Sequence, residues 1–201
     1  MTVAAVVLAA GASTRMGRPK ALIEWRGRPF FVHCVERARA VGCGPVVVVW
    51  GATPLPEVPG IITVENPRWR DGPLSSLQAG LRAVLPVDPS GVLVLTVDRP
   101  HVAEDTLQRL LEAHAQQPEV VVQPRLGEKS GHPVLHPRVV VDALLGLSST
   151  DSVRSVVGQP KVRGARLRVP VADLAVLENL DTPDALLRML ASQRSDVGGE
   201  G

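Results

Sequence analysis

Apolar residues in this chain gather into short, unbroken runs. Val3–Leu8 and residues 45–50, 61–64, 92–97 and 120–123 are each four to six residues long and rich in valine. Continuous β-branched runs of that length suit strands covered on both faces. Between them the apolar step lengthens to three and four. Phe31, Cys34, Val35, Ala38 and Val41 recur at that step within 28–41, as do Leu107, Leu110, Leu111 and His114 within 103–116. This spacing predicts helices with one buried face. Pro73 suits the first position of a helix over 74–85, and Thr182-Pro183 reads as cap and first turn of a last helix reaching about Arg194. A helix is also expected over 137–145, with another short one after Thr150-Asp151-Ser152. The alternation predicts an α/β fold of three layers, α/β/α, around a mostly parallel sheet.

No internal repeat and no long linker interrupts the pattern, so residues 1–194 are expected to form a single domain, with 195–201 a disordered tail. The stretch 124–170 is less regular and carries Gly131-His132-Pro133. In an open α/β sheet ligands bind beyond the carboxyl ends of the strands, and an insertion there is placed to wall the cleft.

With 201 residues, 45% of them apolar, the chain is long enough to bury a substantial core. Its 22 cations and 20 anions leave a net charge of +2, and no basic block stands out. Aromatic residues make up 2%, with no tyrosine, so stacking platforms for unpaired bases are scarce. No nucleic-acid partner is expected. Cys34 and Cys43 have neither metal-ligand spacing nor a disulfide framework. The apolar start lacks a cationic leader, and no run approaches the roughly 20 residues that span a bilayer. These features point to a cytoplasmic protein with no membrane partner.

The most specific chemistry lies between Leu8 and Lys20. Leu8-Ala9-Ala10-Gly11-Ala12-Ser13 leaves the first strand as a small-residue turn, and Arg15 and Lys20 follow. Small residues let peptide N–H groups approach an anion while the two cations supply charge, which suits a polyphosphate. The common templates fail. Gly11 and Gly17 are six apart, Lys20 comes three residues after Gly17, and position 13 is serine, so neither a Walker loop nor a dinucleotide fingerprint is present.

The stretch does match L-A-A-G-x-S-x-R-M-G-x-x-K, and the chain resembles the MobA-like nucleotidyltransferases, within them most closely the molybdenum cofactor cytidylyltransferases. Further segments carry the resemblance in order: Asn66-Pro67-Arg68-Trp69 with Gly72-Pro73-Leu74-Ser75-Ser76-Leu77, then Val97-Asp98-Arg99-Pro100, Gly131-His132-Pro133-Val134-Leu135 and Leu180-Asp181-Thr182-Pro183. It implies a Rossmann-like, glycosyltransferase-A-like fold. It also implies a Mg²⁺-dependent enzyme that moves a nucleoside monophosphate from an NTP to a small phosphorylated acceptor, with CTP and molybdopterin the first-choice pair.

On this reading Arg15, Lys20 and Asp98 are catalytic, and Leu8, Ala9, Ala10, Gly11, Arg15, Lys20, Gly72, Ser75 and Ser76 bind the nucleotide. Asp98 and Asp181 are the metal carboxylates, and His132 faces the acceptor. A phosphate acceptor is already ionised at neutral pH, so no side-chain base is required. Simpler roles stand beside these. Asp98 and Asp181 suit helix caps, Ser75 and Ser76 suit a first helical turn, His132 suits a turn anchor, and Trp25, Trp50 and Trp69 read most simply as packing residues. The chain departs from the family pattern at Val97, Arg99 and Asn179, and Leu8 replaces a threonine frequent beside CTP. A molybdopterin guanylyltransferase, a sugar- or polyol-phosphate cytidylyltransferase and a nucleotide-binding module without turnover are therefore the alternatives.

Overall fold

Leu8 and Thr96 lie side by side at the carboxyl ends of two parallel strands, β1 (Val3–Leu8) and β6 (Gly91–Thr96). The computed structural model describes residues 2–148 and 166–195. In chain order the other elements are β2 (Glu24–Trp25), β3 (Arg28–Pro29), α1 (Phe30–Ala40), β4 (Val46–Trp50), β5 (Ile62–Glu65) and α2 (Pro73–Val84). After β6 come α3 (Glu104–Gln116), β7 (Val121–Leu126), β8 (Lys129–Ser130), β9 (Val134–Pro137), α4 (Arg138–Leu145), β10 (Arg166–Pro170) and α5 (Pro183–Ser195). The main sheet runs β10-β7-β9-β6-β1-β4-β5, with β8 paired to β7. Neighbours β5/β4, β4/β1, β1/β6 and β7/β10 are parallel, whereas β9 runs antiparallel to both β6 and β7.

Valine runs fill this sheet because both of its faces are covered. Ala4, Val6, Val47, Val49, Val92 and Val94 share one core with Leu74, Leu77, Leu81 and Val84 of α2 and with Val140, Val141 and Leu144 of α4. Their neighbours in sequence, among them Ala5, Val7, Val46, Val48, Leu93 and Leu95, pack on Phe31, Cys34, Val35 and Ala38 of α1 and on Leu107 and Leu110 of α3. The side-chain period of two sends alternate residues to opposite layers, and both layers are helical. Contact between α2 and the sheet is close. A Cβ added at Gly80 would lie 2.5 Å from Val6 Cγ1 and 2.9 Å from Val49 Cγ2.

A third cluster joins distant parts of the chain: Met16, Ile23, Trp25 and Phe30 pack with Leu180, Leu186 and Met189. It seats α5 on the segment that follows β1.

The fold is the expected Rossmann-like, mostly parallel one, with local differences. Arg28 and Pro29 pair with Glu24 and Trp25 in a two-stranded hairpin, so the helix expected from position 28 begins at Phe30. Strands β9 and β10, unforeseen in the sequence, fill the irregular stretch. Ser195, expected to open the tail, is the last residue of α5. The short helix expected after Thr150 and residues 196–201 lie outside the described residues. No helix among the described residues is long and apolar enough to cross a membrane.

Candidate active site

From β1 the chain runs out to β4 and β5, then crosses back to place β6 on the other side of β1. Such a change of direction opens a crevice beyond the strand ends. A cleft of about 670 Å³ lies there, lined by Leu8, Ala10 to Thr14, Lys20, Trp69, Arg70, Gly72, Pro73, Ser76 and Thr96 to Asp98.

The loop after β1 is held open toward this cleft. A Cβ at Gly11 would meet nothing within 4 Å. Ser13 and Gly17 both adopt positive φ, 54° and 66°. The Ser13 hydroxyl accepts the Lys20 N–H at 3.0 Å, which closes the loop, and Met16 anchors it in the third cluster. Ala9 is buried, its N–H donated to Val49 O at 2.8 Å, so it supports the loop from beneath and does not line the cleft.

Asp98 stands two residues beyond β6. Its Oδ1 accepts the Thr96 hydroxyl at 2.5 Å and Arg99 Nη1 at 3.2 Å. Arg99 also reaches Thr96 Oγ1 at 3.1 Å and the Asn179 side-chain oxygen, while its Nε is buried without a partner among the described residues. The Asp98 carbonyl accepts the Leu180 N–H at 3.0 Å, which brings Asp181 to the same rim. There the Asp181 carboxylate joins both predicted cations: Arg15 Nη2 donates to Oδ2 at 2.8 Å and Lys20 Nζ donates to Oδ1. The Lys20 hydrogen bond leads in holding the Asp181 carboxyl below the usual carboxylate range, against the opposing effect of burial. Arg15 remains 71% exposed and is not among the cleft-lining residues.

For a divalent cation, the described residues contain no group of three or more His, Cys, Asp or Glu side chains able to hold a metal. Both oxygens of Asp181 are engaged by cations, while Asp98 faces the cleft. Such a donor set fits an ion that takes one carboxylate from the protein and its other ligands from phosphate oxygens and water, the habit of Mg²⁺.

Across the cleft Gly72, with φ 118°, leads into α2. Ser76 lines the cleft, whereas Ser75 does not. Both hydroxyls accept from buried Asn66 Nδ2 at 2.9 Å, and Asn66 Oδ1 receives the Arg68 N–H at 3.0 Å. Asn66 thus ties the end of β5 to the start of α2. His132 lies outside the main cleft, beside Leu95, Thr96, Arg99, Val102 and Pro133. Burial first, then the Arg99 charge, lowers its imidazole pKa, and its Nδ1 has no partner among the described residues.

Sequence reasoning left Trp69 as packing and gave Arg70 no role. Trp69 sits against Gly51, where an added Cβ would come within 2.6 Å of the Trp69 Cβ, and the Arg70 guanidinium lies over the indole 4.3 Å from its centre. Trp69 ends the Asn66-Pro67-Arg68-Trp69 segment that carries the resemblance, but nothing local indicates that its neighbour faces the cleft.

Residues 5–165 match the model of the MobA-like NTP transferase domain. The chain belongs to that family. A molybdenum cofactor guanylyltransferase of Xanthomonas euvesicatoria pv. vesicatoria is 30% identical over 186 residues, covering 92% of this chain and 93% of that protein. The bifunctional enzyme IspD/IspF of Novosphingobium aromaticivorans is 34% identical over 118 residues, 56% of this chain and 31% of the larger enzyme. The chain thus spans about a third of that relative. Among solved structures, Rv0371c of Mycobacterium tuberculosis H37Rv superposes with a TM-score of 0.76 at 25% identity, covering 95% of this chain and 98% of its own. A complex of Rv0371c with manganese also matches, with a TM-score of 0.71 at 26% identity over 96% of this chain and 100% of that one.

Proposed function

We propose that this nucleotidyltransferase moves the nucleoside monophosphate of CTP, or alternatively GTP, onto a small phosphorylated acceptor in the cytoplasm, with molybdopterin the first choice, and releases pyrophosphate. The observation that carries the reading is the meeting of three parts in one cleft: the open loop at Gly11, the ammonium of Lys20 and the carboxylate of Asp98. CTP stands first because Ala10, which lines the cleft, precedes Gly11 where the resemblance associates GTP with glycine.

In the reaction an oxygen of the acceptor phosphate forms a bond to the α-phosphorus. The bond from that phosphorus to the bridging oxygen breaks, and its electron pair leaves with pyrophosphate. Arg15 and Lys20 exchange Asp181 for phosphate oxygens as the triphosphate enters. Lys20, the less exposed of the two, meets the charge that shifts during transfer, and Arg15 grips the outer phosphates with its planar fork. Asp98 would hold a Mg²⁺ ion that, when bound, neutralises phosphate charge. On this reading His132 and Arg99, which lie next to Thr96, would meet the acceptor.

The test is pyrophosphate release by the protein with Mg²⁺, each NTP and molybdopterin. Release with CTP or GTP is expected, and Asp98→Asn is expected to lower it by about 10²-fold or more with an unchanged circular dichroism spectrum. Retained NTP binding with no release from any pair would favour the nucleotide-binding module instead.

A further inference from the structure

Arg70 differs from Lys20 and Arg15 in having no anion beside it among the described residues. Lys20 and Arg15 are joined to Asp181, whereas Arg70 meets no carboxylate among the described residues. Its guanidinium carbon lies over the Trp69 ring, 4.3 Å from the centre, and the residue lines the cleft. Trp69 is itself braced on Gly51, the residue that follows β4.

Asp98 follows β6, and β6 and β4 flank β1 on opposite sides. Two strand spacings, about 10 Å, therefore separate the strand ends from which Asp98 and Gly51, the brace of Trp69, extend. A nucleotide with its α-phosphate between Lys20 and Asp98 carries its ribose and base across the end of β1, toward that stack. A guanidinium laid on an indole directs its N–H donors outward in its own plane, where they match two adjacent acceptors.

We propose that Arg70, held on Trp69, reads the nucleobase. It would donate in bidentate fashion to an edge that places a carbonyl oxygen beside an unprotonated ring nitrogen. Cytosine offers O2 with N3 and guanine offers O6 with N7, while adenine sets an amino donor beside N7 and is refused. The assignment rests on the proposed nucleotidyltransferase reading and adds a residue that selects the substrate.

Calorimetric titration of CTP, GTP and ATP with Mg²⁺, without acceptor, tests it on the whole chain. Wild type is expected to bind CTP or GTP at least about 10-fold more tightly than ATP. The tighter of the two identifies the base. Arg70→Ala is expected to lose that preference, binding the favoured triphosphate about 10-fold or more weakly while ATP is unchanged. Arg70→Lys, which keeps charge but not the planar fork, is expected to resemble the alanine variant. An equal loss for all three triphosphates would make Arg70 a phosphate contact and overturn the proposal. Full rescue by lysine or unchanged affinities would overturn it equally, with the nucleotidyltransferase reading intact. Failure of wild type to bind any of the three would remove both.

Discussion

Lys20 and Asp181 form an ion pair across 161 positions of sequence, and Arg15 closes on the other oxygen of the same carboxylate. On the proposed function, Asp181 stands among the cations where a phosphate would, holding them in place before substrate arrives. The arrangement is partly open to solvent, so its strength is modest and an entering triphosphate can exchange with it.

Asp181→Asn is expected to bind metal-free inorganic triphosphate several-fold more tightly than wild type, since it removes the competing anion and leaves both cations. Calorimetry checks this, and weaker binding would contradict the exchange. The pair also has a pH signature. A carboxyl held low in the folded state stabilises it above the unfolded value near 4, and that contribution fades as pH falls through the folded value. Wild-type thermal stability should lose this component below about pH 4, while the asparagine variant should not.

Arg15→Ala and Lys20→Ala should separate in steady-state kinetics. Arg15, 71% exposed, is expected to raise the KM for NTP with little change in kcat. Lys20, 17% exposed, is expected to lower kcat more than it raises KM, as a group meeting charge late in the reaction does. Equal effects on KM alone would deny Lys20 its role in transfer.

His136, on β9, is fully buried, and burial first, then the charges of His132 and Arg166, lowers its pKa to about 4. An imidazole kept neutral in the fold charges more readily in the unfolded chain. Stability should accordingly fall as pH drops from about 6.5 toward 4, by roughly 3 kcal/mol at most from this residue. Denaturant titrations over that range should show a flatter profile for His136→Gln. A wild-type profile level to pH 4 would contradict the buried neutral imidazole.

Gly80→Ala should melt below wild type. Helix propensity favours alanine by about 1 kcal/mol, but the new Cβ meets Val6 Cγ1 at 2.5 Å, and overpacking of this kind costs about 1–3 kcal/mol. Scanning calorimetry should show a fall of a few degrees, and an unchanged midpoint would mean that α2 can lift from the sheet.

Elements with long periodic or continuous apolar patterns were legible in the sequence. The run of β1 is observed at Val3–Leu8, and the helix expected over 74–85 is observed at Pro73–Val84. β9 and β10 were not, because their residues alternate or carry charge, as Arg166-Leu167-Arg168 does, and acquire strand structure from the neighbours that pair with them. The loop of Gly11 and Lys20 and the strand exit at Asp98 could be read as local signals, and the structure lines one cleft with all three. Asp181 bonded to Arg15 and Lys20, Asn66 bonded to Ser75 and Ser76, and Arg70 aimed into the cleft could not. Each depends on where separate stretches of chain meet.

The third cluster has a consequence for how the chain reaches its working form. The segment carrying Met16 is made before Leu186 and Met189, which brace it and come more than 160 residues later. A nascent chain that builds β1, β4 and β6 as they emerge still lacks the apolar brace for the loop after β1. Seating of that loop is therefore timed to α5, and a ribosome-bound intermediate would hold paired strands before the loop beside them is fixed in place.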